Sequence, residues 1–143
     1  MLLLVFAILI SYFVLNLILS NNNLKNTNLG GSFILTDQNG NTFNSKKIKL
    51  KKLIYFGYTY CPDICPFDLI KISNVFEKNS DLKNKLKPIF ITVDPERDSV
   101  EKLNEFLKNF NPAFSGLTGN NKEINQVLKK FKIYVKVNKK NHE

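Results

Sequence analysis

The chain has 143 residues, a length that predicts one domain. Its 43% hydrophobic and 12% aromatic content argues against a disordered chain, and no recurring period indicates a repeat protein. The net charge of +9 comes with 20 Lys, 20 Asn and a single Arg. We attribute that charge to coding bias and predict no nucleic-acid binding, since phosphate-binding proteins usually use arginine forks as well as Lys.

The first 19 residues contain no charged side chain, and Ser11 and Asn16 are their clearly polar members. As a helix they would measure roughly 28 Å, close to the thickness of a bilayer core. A secretory signal would begin with basic residues and end in a small-residue cleavage site, and the sequence has neither. We therefore predict an uncleaved transmembrane anchor over residues 1–19, in preference to a signal peptide or a buried core helix.

The charges around the predicted anchor bear on its orientation in the membrane. The first positive charge, Lys25, follows the apolar stretch, and the positive-inside rule taken alone would put that side in the cytoplasm. A start codon placed too late, which omits a basic leader before the anchor, would remove this argument for a cytoplasmic domain. An Asn-rich polar linker is predicted over residues 20–29, and a folded domain over residues 30–143.

The folded part alternates strand and helix patterns. The segment Asp37–Gly40 separates two short apolar runs and predicts a hairpin, because Asn-Gly favours the turn. Buried strands are predicted at 51–56 and 88–93, and a last strand at 132–137. Apolar spacings of three and four predict three helices: one after residue 65, one capped by Asp98 and ended by Asn111-Pro112, and one that begins near Asn120.

This order of elements implies βαβ units on a parallel sheet. A strand that leads into a two-cysteine turn and then a helix suits a thioredoxin-like architecture. The predicted fold class is therefore α/β and thioredoxin-like, with an N-terminal hairpin and one transmembrane helix before it.

The two cysteines, Cys61 and Cys65, lie in the sequence Cys-Pro-Asp-Ile-Cys-Pro at the junction of a predicted strand and helix. Four residues make about one helical turn, so both sulfur atoms fit on one face, and Pro66 suits a first helical position. A helix N-terminus favours thiolate over thiol. Such a pair could exchange disulfides or bind a soft metal such as Cu(I) or Zn.

Other interpretations of the pair are weaker. A structural disulfide that closes so short a loop would add little stability. Two inert thiols would be unexpected at this junction in a chain with no other Cys. Zinc usually takes four ligands, and besides the pair the chain offers only His142, which we predict to be a solvated tail residue. The spacing alone leaves metal binding and redox chemistry both open.

The segment Tyr55–Pro66, Tyr-Phe-Gly-Tyr-Thr-Tyr-Cys-Pro-Asp-Ile-Cys-Pro, resembles the signature of the Sco/SenC family, the copper chaperones of cytochrome c oxidase assembly. Three further stretches match the family pattern in the same order: Gly31–Asp37, Val93–Asp98 and Gly116–Gly119. The resemblance covers about residues 30–137. The Cys motif together with Asp-Pro-Glu-Arg-Asp makes it specific.

The resemblance implies a thioredoxin-like domain on an inner-membrane anchor, facing the periplasm or the mitochondrial intermembrane space. It implies copper bound by two cysteines, which we carry onto Cys61 and Cys65, with Cu(I) as the favoured state. It further implies that the partner is the copper-site subunit of cytochrome c oxidase, which receives copper or has its Cys pair reduced.

One departure from the family concerns its third copper ligand, a His in an Asp-His motif beyond the last strand predicted here. More strands and a terminal helix follow that motif in the family. His142 precedes that place and has no Asp-His context, so the role is not carried onto it. We therefore expect poor Cu(II) binding and a domain that lacks the family's last strands and helix, with a sheet edge left open.

Arg97, the only arginine, is expected to pair with Asp94 or Asp98 near the cysteine loop, in a loop-ordering role. On the chaperone interpretation we expect no enzymatic activity other than a thiol–disulfide reductase side activity, and the question of enzymatic function stays open. Two alternatives stay open. One is a thiol–disulfide oxidoreductase that acts on partner cysteines, although such enzymes usually space their Cys by two residues. The other is an inactive, shortened remnant of a Sco gene.

Overall fold

The computed structural model describes Phe6, residues 9–16 and residues 29–136 of the chain. The strands from residue 29 onward are β1 (Ile34–Asp37), β2 (Thr42–Asn44), β3 (Lys51–Gly57), β4 (Leu86–Thr92) and β5 (Ser115–Thr118). The helices there are α1 (Ile64–Lys78), α2 (Val100–Leu107) and α3 (Asn121–Phe131), with short 3-10 turns at Ser45–Lys47 and Ser80–Asn84.

The five strands form one mixed sheet in the order β2-β1-β5-β4-β3. Strands β3, β4 and β5 run parallel, and β1 pairs antiparallel with both β5 and β2. The predicted hairpin is confirmed between β1 and β2. The Gly40 N–H donates to the Asp37 carbonyl at 3.0 Å, and Gly40 has a φ of +80°, which glycine adopts without strain.

Successive residues of β4 face opposite sides of the sheet and so divide the core in two. Ile89 and Ile91 pack with α3, whereas Phe90 packs with α1 and α2. All three side chains are fully buried. A strand covered on both faces has to be apolar along its whole length, which is why the run Pro-Ile-Phe-Ile was recognisable in the sequence. The result is a three-layer α/β/α arrangement.

Helix α3 begins as predicted, but α2 does not. The Asn120 side chain accepts from the Glu123 N–H at 2.9 Å, and the Glu123 carboxylate accepts from the Asn120 N–H at 2.8 Å. At α2 the cap is Ser99, which accepts from the first turn of the helix, so the prediction of Asp98 is wrong. The carboxylate of Asp98 is drawn into the interior instead. Helix α2 also ends at Leu107, before the Asn-Pro pair expected to stop it.

Two strand predictions need correction. Residues 132–136 form no strand, because Lys132 takes a left-handed conformation and Ile133 closes the helix by donating to the Leu128 carbonyl. Strand β5 was missed, since its four residues include a glycine and two hydroxyl side chains. It forms by pairing with β1 and β4, and Gly116 is required there because a Cβ would overlap the Leu107 side chain.

The predicted anchor lies mostly outside the described residues. Residues 9–16 are helical with exposed side chains. Residues 1–5, 7–8 and 17–19, like residues 20–28 of the predicted linker, are outside the described part. Within that part, none of the helices combines the length and apolarity that a membrane crossing needs. The anchor remains a prediction.

Candidate metal and thiol site

The loop between β3 and α1 brings the two cysteines together. Cys61 lies in the loop and Cys65 in the first turn of α1, and both are free thiols. The Cys65 backbone N–H donates to Cys61 Sγ at 3.4 Å, and the Cys61 N–H donates to the Tyr58 carbonyl at 3.2 Å. The four-residue spacing thus puts the Cys61 sulfur against a backbone N–H group at the start of the helix, as the sequence indicated.

The two thiols differ in how readily they ionise. Burial opposes ionisation of Cys61, but interactions of its sulfur with the backbone and side chain of Cys65, the backbone of Asp63 and the Tyr58 hydroxyl together outweigh burial and lower the pKa of Cys61. Burial is also the largest influence on Cys65, and there it prevails and raises the pKa of that thiol. Cys61 is half-buried, whereas Cys65 is only 6% exposed. Cys61, the more accessible sulfur, therefore ionises more readily than Cys65 behind it.

Cys65 approaches the sheet over a glycine. A Cβ on Gly57 would lie 3.1 Å from Cys65 Sγ and 2.9 Å from the ring of Phe90. Both separations are shorter than a side chain normally tolerates, so a side chain at position 57 would displace the sulfur or the ring. The sequence carried no signal for this contact, because it joins residues from β3, β4 and α1.

Two tyrosines next to the sulfur atoms were not singled out from the sequence. The Tyr58 hydroxyl interacts with Cys61, and burial together with this neighbour raises the pKa of Tyr58. The Tyr55 hydroxyl interacts with Cys65 and donates to Asp68 Oδ2 at 3.3 Å, and burial together with these partners raises the pKa of Tyr55. Both phenols therefore stay protonated near neutral pH. The period-two alternation of β3 could have identified Tyr55, since it shares a face with the glycine two residues on.

A buried carboxylate holds the cysteine loop in place. Asp98 is fully buried, and its carboxylate accepts from the Thr59 N–H at 3.0 Å, the Thr59 hydroxyl at 2.6 Å and the Thr92 hydroxyl at 2.5 Å. Its carbonyl accepts from the Thr118 hydroxyl at 3.0 Å. Because Thr59 is two residues before Cys61, Asp98 ties the loop to the ends of β4 and β5. A buried charge needs several donors to offset its lost hydration.

Arg97 pairs with Asp94, one of its two expected partners. Its Nε and Nη2 each lie 2.5 Å from Asp94 Oδ2. The guanidinium carbon is 5.1 Å from the ring centre of Tyr60, the residue before Cys61. The Arg97 side chain is 41% exposed, so the ion pair contributes less than about 1 kcal/mol. This geometry suits a contact that orders the two loops against each other.

The cysteine pair is the soft donor set of the described part of the chain. Within that part, no cluster of three or more His, Cys, Asp or Glu side chains is arranged to hold a metal ion. His142 lies outside the described residues. Two thiolates match the softness of Cu(I), whereas Zn(II) usually takes four ligands and Cu(II) prefers nitrogen. These donors fit Cu(I) best among the three ions.

Comparison with known proteins identifies the family. Residues 21–143 match the family model described as SCO1/SenC. The chain is 51% identical over 117 residues to an SCO2-like protein of Rickettsia prowazekii, covering 80% of this chain and 57% of that protein. It spans about half the length of the curated relatives it matches. The chain belongs to the SCO1/SenC family.

Solved structures agree on the fold. The structure of Bradyrhizobium japonicum ScoI with copper bound superposes with a TM-score of 0.73 at 43% identity, over 80% of this chain and 74% of that one. A more distant neighbour, BsSco, has a TM-score of 0.62 at 28% identity, over 75% of this chain and 66% of that one. It is described as a member of the Sco family of cytochrome c oxidase assembly proteins. The mixed sheet therefore matches the thioredoxin-like fold of Sco proteins, as predicted.

Proposed function

We propose that this member of the SCO1/SenC family is a copper metallochaperone that holds Cu(I) between Cys61 and Cys65. The observation that carries the proposal is the hydrogen bond from the Cys65 N–H to Cys61 Sγ at the start of α1. It stabilises one thiolate before metal arrives, and Cys65 supplies a second soft ligand one turn further on. Copper would be the cargo of the protein, and a relative whose structure contains copper supports that identity.

The difference between the two sulfur atoms suggests an order of events. Cys61 is more accessible and ionises more easily, so it is the first to meet an incoming copper complex. Cys65 loses its proton as it binds, and the Tyr55 hydroxyl next to it can then donate to the new thiolate. Release runs by ligand exchange, in which thiolates of an acceptor replace Cys61 first and Cys65 second. No electron is transferred in this sequence.

We extend the proposal to the acceptor and the compartment. The acceptor would be the copper-site subunit of cytochrome c oxidase, an identification supported by the assembly role described for BsSco. An inner-membrane anchor over residues 1–19 would hold the domain on the periplasmic or intermembrane-space side. Exchange between neighbouring molecules on one membrane surface would then replace free diffusion of copper.

A second candidate function is thiol–disulfide exchange, and the asymmetry of the two cysteines favours it. The Cys61 thiolate would attack one sulfur of a partner disulfide, forming a mixed disulfide and releasing the partner's other sulfur as a thiolate. Cys65 would then lose its proton and attack Cys61 Sγ, which releases the partner sulfur that was bonded to Cys61 as a thiolate. The partner gains two electrons, and Cys61 and Cys65 end as a disulfide. Tyr58 would act by hydrogen bonding to the attacking sulfur.

Copper retention by the reduced full chain tests the first proposal. Competition with a chromophoric Cu(I) chelator should give one Cu(I) per chain, and Cys61→Ser or Cys65→Ser should each abolish retention. Tyr60→Phe is the matched control, because it changes the residue beside Cys61 without removing a ligand. A reduced wild-type chain that retains no Cu(I), or a cysteine variant that retains it fully, contradicts the proposal.

Exchange with a dithiol peptide separates the two functions. In the oxidoreductase case, Cys65→Ser should trap a mixed disulfide with an oxidised dithiol peptide through Cys61, visible as a mass increase. In the chaperone case, copper is retained while no peptide disulfide is turned over. Turnover without copper retention would favour the oxidoreductase.

A further inference from the structure

The net charge is not spread evenly along the chain. Of the 21 basic residues, 11 lie in two stretches, 38–62 and 124–142, that contain no Asp or Glu, and nine of these 11 belong to the described part of the chain. The remaining ten basic residues are outnumbered by the 12 acidic ones. The net positive charge therefore comes from these two stretches. The lysines of the first stretch are all exposed: Lys46, Lys47, Lys49, Lys51 and Lys52.

The two stretches meet in space where the folded domain begins. Lys46 and Lys52, from the first stretch, line an open cavity of about 450 Å³ together with Leu29–Phe33 and Phe131. Lys130, from the second stretch, donates through Nζ to the Ser32 carbonyl at 2.7 Å. The exposed lysines Lys129, Lys132 and Lys136 belong to the same stretch. We call the surface formed by Lys46, Lys52, Lys130 and this cavity the basic surface.

The basic surface adjoins the polypeptide that leads back to the apolar N-terminal segment. Leu29, which lines the cavity, is the last residue of the predicted linker 20–29, and ten extended residues reach about 35 Å. Residues 9–16 expose apolar side chains, among them Leu9, Ile10, Phe13 and Leu15. A run of exposed apolar side chains is typical of a segment that binds a membrane or another protein. If this segment binds a bilayer, the basic surface lies within reach of its headgroups.

We propose that the basic surface docks the domain on the anionic phospholipid headgroups of the membrane that receives the N-terminal segment. Lysines near an anionic bilayer are attracted to it, and the attraction is largely screened beyond about 8 Å at physiological salt. The cavity combines the side chains of Lys46 and Lys52 with apolar walls from Leu29, Ile54 and Phe131, a combination that suits an amphiphile.

Docking at this surface has a consequence for the cysteine loop. Lys52 precedes Gly57 by five residues on β3, about 16 Å along the strand. The dimensions of the domain would therefore keep the cysteine loop at a distance from the headgroups.

Nucleic acid fits the basic surface less well than a lipid headgroup does, because the aromatic rings in this surface are packed against one another. Phe33 and Phe131 pack edge to face with ring centres 6.0 Å apart and offer no stacking platform.

The test uses the full chain in nanodiscs of phosphatidylcholine, with or without phosphatidylglycerol. Acetylation of Lys47, Lys49 and Lys129 by an amine reagent, read by mass spectrometry, should be slower when phosphatidylglycerol is present, and high salt should restore the rate. The triple variant Lys46→Gln, Lys52→Gln, Lys130→Gln should lower the docking constant on the order of a hundredfold and remove this protection. The matched control, Lys78→Gln, Lys83→Gln, Lys108→Gln, should keep it.

Several results would overturn the docking proposal. Acetylation at equal rates in the two kinds of nanodisc would contradict it, and so would equal loss of protection in both triple variants. The proposal would also fail if duplex DNA displaced the basic surface from the bilayer at a lower phosphate concentration than phosphatidylglycerol vesicles do. It would fail as well if the chain inserted into neither kind of nanodisc. The salt dependence of the wild-type chain gives an answer even if a variant misfolds. Cu(I) retention should be unchanged in the triple variant, so failure of docking and failure of the proposed copper function are distinguishable.

Discussion

The cysteine loop and the basic surface both draw on strand β3, yet they are built in opposite ways. At the end of β3 the loop is tied by hydrogen bonds from Thr59 to the buried Asp98, and Cys65 packs against the strand at Gly57. At the start of β3 the lysine side chains are exposed. Metal coordination needs ligand atoms placed to within tenths of an ångström, whereas attraction to a charged surface needs only charge of the right sign and density. The loop should therefore be sensitive to single substitutions and the basic surface should not.

The largest effect is expected at Asp98. Asp98→Ala leaves the Thr59 N–H and the Thr92 hydroxyl without their buried acceptor and should lower the free energy of unfolding by about 3 kcal/mol. Urea denaturation followed by circular dichroism measures this. Asp94→Ala removes a more exposed carboxylate from the same β4–α2 loop and should lower the free energy of unfolding by less than about 1 kcal/mol. Equal stability of the two variants would mean that Asp98 does not hold the cysteine loop.

A smaller loss is expected at Gly57. Gly57→Ala puts a methyl group 2.9 Å from the Phe90 ring and 3.1 Å from Cys65 Sγ, and this overpacking should cost about 2 kcal/mol in the same denaturation assay. Lys51→Ala, at the exposed start of β3, is the control and should change stability by less than about 0.5 kcal/mol. A Gly57→Ala chain as stable as the control would show that the sulfur and the ring move aside freely.

The two cysteines should differ in their rates of alkylation, and this prediction involves no change in the stability of the fold. The lowered pKa of Cys61 means that its thiolate appears at a lower pH than that of Cys65, whose pKa is raised by burial. Near neutral pH, iodoacetamide should therefore modify Cys61 faster, and the difference should narrow as the pH rises through the range in which Cys65 ionises. Mass spectrometry of the two sites against pH measures this. Equal rates at neutral pH would contradict the asymmetry.

The smallest effect is expected at the basic surface. Lys46→Gln with Lys52→Gln should leave the free energy of unfolding within about 0.5 kcal/mol of wild type, because both side chains are exposed. The same denaturation curves measure this. A loss approaching that of Gly57→Ala would show that these lysines support the fold, and the contrast between the two regions would fail.

The features that were predictable from sequence depend on residues close together in the chain. The hairpin turn at Gly40, the capping box of Asn120 and Glu123, and the cysteine pair at the start of α1 each span five residues or fewer. The apolar run of β4 was equally visible, because burial on both faces demands it.

The errors arise where distant segments compete for a local group. Asp98 had the sequence of a helix cap, but three donors from Thr59 and Thr92 outweigh one from the helix, and Ser99 takes the cap. Strand β5 has weak strand propensity and forms because β1 and β4 lie on either side of it. Residues 132–136 have the alternation of a strand but no strand partner within the described part of the chain.

The sequence by itself determined the family, the position of the two thiols at a helix start and the alternation of strands and helices, since each is written in short-range pattern. The tertiary structure decided how those thiols differ, because the tyrosines, Gly57 and the N–H groups around them come together only on folding. It also decided the meaning of the lysines. Composition made them look like a bias spread along the chain, and folding brings two of their stretches to one surface where the domain begins.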